Sequence, residues 1–278
     1  MKSILLLVLG AYIVAAVHAV LAFVNKRRVL QRVSWFALIT GFALHTVALV
    51  SGWAVQNHFP LFYLPETLSF LAWTLVAAYG LVLYRYQVHA LGSFTLPLVA
   101  ALVLIAIVSG VQPSAAPGAL AGTTAANSTG GWIFPFHTTV LICAYASFFV
   151  VFVASVMYLL QERELKLKTF GAIFHRLPPL TTVNDIATMA AAVGLTLLSL
   201  GIVTGMIWSA ERDGRLWHND PKEIFAALTW LLYLLLIVYR ASARWRGRRA
   251  AWLGVAGFVL VLFTFLGARL MGGYHDFG

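Results

Sequence analysis

Eight long apolar runs leave this chain little choice of fold. They cover about 3–24, 33–55, 67–84, 92–111, 137–160, 183–209, 224–239 and 251–271, and the chain as a whole is only 10% charged. An α-helix needs roughly 20 apolar residues to cross the hydrocarbon core, with tilt taking up differences in length. Most of these runs reach that length; the seventh is short. The expectation is an all-α integral membrane protein, a bundle of eight transmembrane helices forming a single polytopic domain over 1–278. No repeat of 20–50 residues divides it. The first run ends in Asn25-Lys26-Arg27-Arg28 without a small-residue cleavage site, so it reads as a retained helix.

The basic residues predict orientation. Loops 25–32, 85–91, 161–182 and 240–250 hold fourteen Lys or Arg, whereas Lys2 and loop 210–223 hold four. Cytoplasmic loops are the Lys/Arg-rich ones. The predicted topology therefore has both termini outside, in a cell (inner) membrane. The net charge of +10 reflects this asymmetry. It does not point to nucleic acid, because the cations are scattered over four short loops with no binding motif among them.

Cysteine chemistry is nearly absent. The single thiol, Cys143, falls inside the fifth run and reads as a small core residue. Without C-x-x-C-H the chain carries no covalent c-type haem, and without C-x-x-C it has no thioredoxin-like centre. Loop 112–136 is uncharged and rich in Ser, Thr, Gly, Ala and Pro, a flexible excursion that re-enters the interface at Trp132–Phe136. Pro178-Pro179 bars helix before the sixth run. Gly201 and Gly205 form a G-x-x-x-G pair, read as a close helix contact.

The densest polar and aromatic stretch is Gly214–Trp230, GRLWHNDPKEIFAALTW, set against the entrance of the seventh span. Pro221 suits a first helical turn, and Glu223 complements the helix dipole. That reading makes the loop a helix start. A second reading uses Lys222 to neutralise an anionic ligand group, and both stay open here.

Four of the eight histidines fall on the predicted external side: His58, His137, His218 and His275. His137 opens the fifth span and His275 follows the eighth, so the two share a membrane level. Two neutral imidazoles at one depth on different helices can ligate a haem iron from both faces. Interfacial histidines also bond simply to water or headgroups, and that alternative stands. His18 and His45 lie within spans; His18 reads as structural. His45 is open between an interhelix bond and a second metal site. His89 and His175 fall in cytoplasmic loops. Dihaem electron carriers set histidine pairs 13 or 14 residues apart on two facing helices; here only His45 and His58 have that spacing, and no second pair faces them. Trp53, Phe59, Trp132, Phe136, Trp208, Trp217 and Tyr274 crowd the external boundary, which an aromatic belt largely explains. Arg269 stands about one and a half helical turns before His275. It would meet a haem propionate or snorkel to the interface.

On these residues the chain resembles the haem-handling CcsA-type cytochrome c assembly proteins, with HemX proteins as close relatives. That family carries a tryptophan-rich external loop, roughly W-G-x-Y-W-x-W-D-P-K-E, before a helix containing T-W. Gly214, Trp217, Asp220, Pro221, Lys222, Glu223, Thr229 and Trp230 match it. Pro60–Trp73 resembles a second motif, with Pro60, Leu61, Glu66, Leu68, Phe70, Ala72 and Trp73 coinciding. Gly201, Gly205 and Trp208 fit upstream, and Gly272-Gly273-Tyr274-His275 fits at the tail. The likeness runs from about Thr40 to the C-terminus.

The resemblance implies non-covalent haem b held at the external face under the 208–223 segment. Its implied axial ligands are His137 and His275. Trp208, Trp217, Asp220, Lys222, Glu223, Trp230, Glu66 and Arg269 are the candidate cofactor-binding residues, and no acid–base catalytic residue is identifiable. The implied activity is presentation of haem to apocytochrome c beside a CcsB-type membrane partner, as part of a cytochrome c synthase complex, in contact with membrane lipid. Three hallmark positions differ: Asp213 and Asn219 replace tryptophans and Leu216 a tyrosine. Val238 stands where many members place an internal histidine. These departures bring in the second implied reading, a HemX-like regulator of glutamyl-tRNA reductase acting through its cytoplasmic loops.

Overall fold

Every apolar run becomes a helix in the computed structural model, which describes residues 2–25, 27–56, 59, 61, 63–110, 132–168, 171, 174–218, 220–241 and 247–267. In chain order these are α1 Lys2–Asn25, α2 Arg28–Gln56, α3 Leu64–Tyr86, α4 Gly92–Ser109, α5 Ile133–Leu167, α6 Leu180–Asp213, α7 Pro221–Ala241 and α8 Arg248–Leu262. A 3₁₀ turn, His89–Leu91, precedes α4, and a π turn, Phe263–Gly267, continues α8. All eight are long and apolar enough to cross a membrane, and no strand occurs among the described residues. Most helices outrun the hydropathy limits because polar end turns stay helical beyond the oily segment; α4 instead stops at Ser109, before Gly110. Trp132–Phe136, expected to be loop, is mostly helix: α5 begins at Ile133, and Pro135 fits its first turn, where backbone N–H groups lack helical partners anyway.

The bundle is organised around α5, the most buried span, with two-thirds of its apolar window inside. On one side α1 packs on α2 and α4, and α3 packs on α4 and α5; on the other, α5 packs on α6 and α8, and α7 on α6 and α8. Two large apolar cores result, with a small third of Leu61, Phe70 and Ile142. One gathers Tyr12, Tyr79, Leu91, Leu96, Phe149 and Met157; the other gathers Phe148, Leu198, Tyr233 and Leu236. Apolar side chains gain little from leaving lipid, so close fit and interhelix hydrogen bonds hold such a bundle together. Phe148 stacks on Tyr233 with ring centroids 3.7 Å apart. Trp230 Nε1–H donates to Ser199 Oγ at 2.8 Å, and Arg240 Nη1 donates to Asn184 Oδ1 at 2.8 Å.

The α5–α6 seam is an antiparallel pair in one fixed register. Phe134 faces Trp208, His137 faces Gly205, Leu141 faces Gly201 and Phe148 faces Gly194. Each advance along α5 is matched by an equal retreat along α6. Three large side chains thus meet three glycines, and the G-x-x-x-G pair has its partners. The ends of the bundle also sort by composition. The basic loops close one face; the opposite, motif-bearing face holds the start of α5, the end of α6, the start of α7 and the end of α8.

Candidate functional site

His137 lies one turn into α5, at the motif-bearing face. Its ring fits the groove that Gly205 leaves open: a Cβ there would stand 2.7 Å from His137 Cε1. Nδ1–H donates to the Gly201 carbonyl at 2.8 Å, with Thr204 Oγ1 at 3.4 Å. A carbonyl only accepts, so Nδ1 carries the proton and Nε2 carries the lone pair. This arrangement recurs in metal-ligating histidines, where the second ring nitrogen is tied to a carbonyl or carboxylate and orients the first. One turn above, Trp208 is buried against Phe134 at 5.7 Å, with the Arg212 guanidinium over its indole at 5.3 Å. His137 therefore has a fixed tautomer and aromatic surroundings, which suits an imidazole ligand for haem iron.

The polar loop beyond Trp208 is a tight capping structure. Gly214 closes α6 in the left-handed region, φ 69°, where a side chain would be strained. Asp220 then caps α7. Its Oδ1 accepts from Lys222 N–H at 2.9 Å, while Glu223 Oε2 reaches back to Asp220 N–H at 3.3 Å. This is the reciprocal capping pattern with Pro221 at the first helical position. Glu223 Oε2 also accepts from His218 N–H at 2.8 Å, so one carboxylate ties the loop to the helix start. His218 Nδ1 stands 3.1 Å from Ser209 Oγ and 3.6 Å from Glu223 Oε1. Ser209 Oγ in turn donates to the Arg215 carbonyl at 2.8 Å. The four residues knit the end of α6, the loop and the start of α7 into one unit. Sequence reading passed over His218, because only its contacts with Ser209 and Glu223 distinguish it from any interfacial histidine.

Glu66 does the same at α3. It is the third residue of that helix, and its Oε2 accepts from Tyr63 N–H at 3.3 Å. Both family-like motifs thus resolve as acidic helix starts on one face of the bundle.

The remaining candidates spread out. Trp217 is 39% exposed in the loop. Trp230 lies deeper, nine residues into α7, in its bond with Ser199. His45 sits on the far side of the bundle, fully buried. Its Nδ1 is 3.2 Å from Tyr12 OH and its Nε2 is 2.9 Å from Ser69 Oγ, so it bridges α1, α2 and α3. A metal at either nitrogen would displace one of these bonds. His275 and Arg269 lie outside the described residues, as does His58. The chain leads toward them from the π turn Phe263–Gly267, where Phe263 stacks on Phe225, one turn into α7, at 6.2 Å. The end of α8 and the capped start of α7 are therefore neighbours. Among the described residues no group of three or more His, Cys, Asp or Glu forms a metal site.

Comparison with known proteins converges on one family. The model of the family described as "Cytochrome C assembly protein" matches residues 61–275. A cytochrome c biogenesis protein CcsA of Synechococcus sp. (strain RCC307) is 30% identical over 301 aligned positions, covering 99% of this chain and 95% of the relative. CcsA of Prochlorococcus marinus (strain MIT 9301) is 29% identical, covering 84% of this chain and 81% of its own. CcsA of Guillardia theta is 27% identical with the same coverage.

Proposed function

The chain belongs to the cytochrome c assembly protein family, and from that membership we propose that it holds haem b non-covalently for delivery to apocytochrome c. His137 and His275 are the axial ligands in this reading. The observation that carries it is the seat of His137, whose Nδ1–H is tied to the Gly201 carbonyl and whose ring fills the space at Gly205. An imidazole held in this way has its tautomer and ring orientation set, with Nε2 the nitrogen that would ligate iron. Chain length is compatible with His275 as the second ligand. It follows Gly267 by eight residues, and an extended chain of that length spans at most about 29 Å. Gly267 ends the turn that packs beside α7.

Each neighbouring element then has a task. Trp217 offers aromatic surface to a porphyrin face, while Trp208, buried against Phe134 and under Arg212, backs the site from within the bundle. The Asp220–Glu223 cap fixes the loop that carries Trp217, and Lys222 or Arg269 neutralises a propionate. Glu66 sets the start of α3 on the same face, and Trp230 braces α7 against α6 from below. Haem supplies the vinyl groups to which the thiols of apocytochrome c add; this chain contributes orientation and iron saturation. Orientation with both termini outside the cell membrane puts the site where apocytochrome c is met, and a CcsB-type membrane protein is the partner. The test is reconstitution. The chain is co-expressed with a CcsB-type partner and a reporter apocytochrome c in a host lacking its own maturation system. Thioether-linked haem in the reporter is expected, lost in His137→Ala. Undiminished product from His137→Ala would reject the reading.

A further inference from the structure

At the opposite end of the bundle from His137, on the basic face, lies a cavity of about 530 Å³. Its walls are the last turns of α1 and α3, the first turns of α2 and α6, the His89–Leu91 turn and residues 175–179. A second chamber of about 380 Å³ shares Arg28, Gln31, Trp35, Leu83, Gln87 and His89 with it, so the two form one recess. Nothing in the haem reading uses this space.

Its charge is one-sided. Arg28 lines both chambers, Arg176 the larger and Arg32 the smaller, and no Asp or Glu lines either. Among the described residues these three guanidiniums meet no carboxylate; the ion pairs of the basic face use Lys166, Arg248 and Glu162 instead. Arg176 lies over the Phe23 ring at 6.0 Å, a stacking that keeps a guanidinium plane in place. Three hydroxyls of the wall are committed elsewhere, Ser34 to the Ala15 carbonyl, Ser93 to the Ala19 carbonyl and Tyr86 to the Met189 sulfur. The guanidiniums are the charged donors of the permanently ionised kind in this wall, and they match phosphate oxygens in geometry and charge.

The recess also has an exposed aromatic rim. Trp35 on α2 is 40% exposed and Tyr84 on α3 is 80% exposed at its rim, with buried Leu83 between them. Aromatic side chains so placed mark headgroup depth. A ligand here has an anionic phosphate head and an apolar remainder that stays in the bilayer. Basic recesses between transmembrane helices on a Lys/Arg-rich face suit such headgroups. We propose that the recess is a binding site for an acidic phospholipid of that leaflet, its phosphate held by Arg28 together with Arg176 or Arg32. Two chambers meeting at Arg28 suit a headgroup with two phosphates better than one with a single phosphate.

The test uses the full chain purified in non-ionic detergent. Thermal unfolding and native mass spectrometry follow additions of cardiolipin, phosphatidylglycerol, phosphatidylcholine or inorganic pyrophosphate. Cardiolipin is expected to bind and stabilise most strongly, phosphatidylglycerol less, and phosphatidylcholine at least fivefold more weakly than either. The Arg28→Gln/Arg176→Gln variant should lose at least fivefold in cardiolipin retention. An Arg248→Gln/Arg249→Gln variant, which removes equal charge from the same face outside the recess, should retain it. If the first variant fails to fold, Arg176→Gln alone serves, with Arg176→Lys as the charge-preserving comparison. Equal retention of phosphatidylcholine, or indifference to the arginines, overturns the proposal. Pyrophosphate binding with the same arginine dependence, in place of lipid, would make the occupant a soluble phosphoanion and also overturn it. Haem content is read separately by absorption, so the two proposals fail independently.

Discussion

Replacing Gly205 by alanine adds one methyl group at the point where α6 meets His137. The new Cβ would stand 2.7 Å from His137 Cε1 and 3.1 Å from Nδ1. Carbon atoms pack best at about 3.5–4.0 Å, so the ring must withdraw by roughly 0.8 Å. The bond from Nδ1 to the Gly201 carbonyl, now 2.8 Å, then lengthens toward about 3.6 Å, beyond hydrogen-bond range. Overpacking of this kind costs about 1–3 kcal/mol, and the lost bond about 0.5–1.5 kcal/mol. For a metal ligand the consequence is sharper, since removing the partner that orients an imidazole typically lowers metal affinity by about 10–100-fold. The comparison variant is Gly194→Ala, which overfills the same seam against Phe148 Cε1 at 2.5 Å, away from any histidine. Both proteins are purified in detergent, and haem per polypeptide and thermal unfolding are measured together. Both variants should unfold at lower temperature, and only Gly205→Ala should lose haem. If Gly205→Ala is as stable as the parent, the packing argument fails. If the two lose haem equally, the orienting role of Gly201 and Gly205 is refuted.

Other outcomes follow from the same contacts. Glu223→Ala removes the carboxylate that accepts from two backbone N–H groups, those of His218 and Asp220, at the start of α7. It should cost about 0.5–2 kcal/mol and raise amide hydrogen exchange over 214–224, with Glu223→Gln nearly neutral; unchanged exchange would count against the cap. His45→Ala strands the Tyr12 and Ser69 hydroxyls in a fully buried setting. It should lower stability by about 1–3 kcal/mol with the haem spectrum intact, whereas an altered spectrum would give His45 a second site. In a Cys143→Ser background, an impermeant maleimide on intact cells should label Arg215→Cys and spare Lys166→Cys. The reverse pattern would invert the proposed topology.

What the sequence revealed, and what it hid, divides along physical lines. Hydropathy located all eight helices because lipid imposes length and apolarity on each one separately. It missed their outer turns, such as Arg28–Arg32 of α2 and Gln161–Leu167 of α5, where polar side chains continue a helix past the oily segment. Asp220-Pro221-Lys222-Glu223 announced a helix start in full, since capping is a local interaction. Partners were out of reach. Nothing in the spacing of Gly201 and Gly205 says that His137 and Leu141 fill them, because that register is set by tertiary packing of two distant helices. The bridge from Tyr12 through His45 to Ser69 was hidden for the same reason, as were the contacts of His218. The recess lined by Arg28, Arg32 and Arg176 was read only as scattered charge, since its walls come from segments far apart in the chain.

The central claim is that two imidazoles, from His137 and His275, share one iron. Its most direct test is a reduced-minus-oxidised absorption spectrum of the detergent-purified chain, repeated on His137→Ala and His275→Ala. A six-coordinate bis-imidazole spectrum in the parent, lost in each single variant and regained on adding free imidazole, is the predicted result. A parent without haem, or a spectrum that survives either substitution, would contradict the claim.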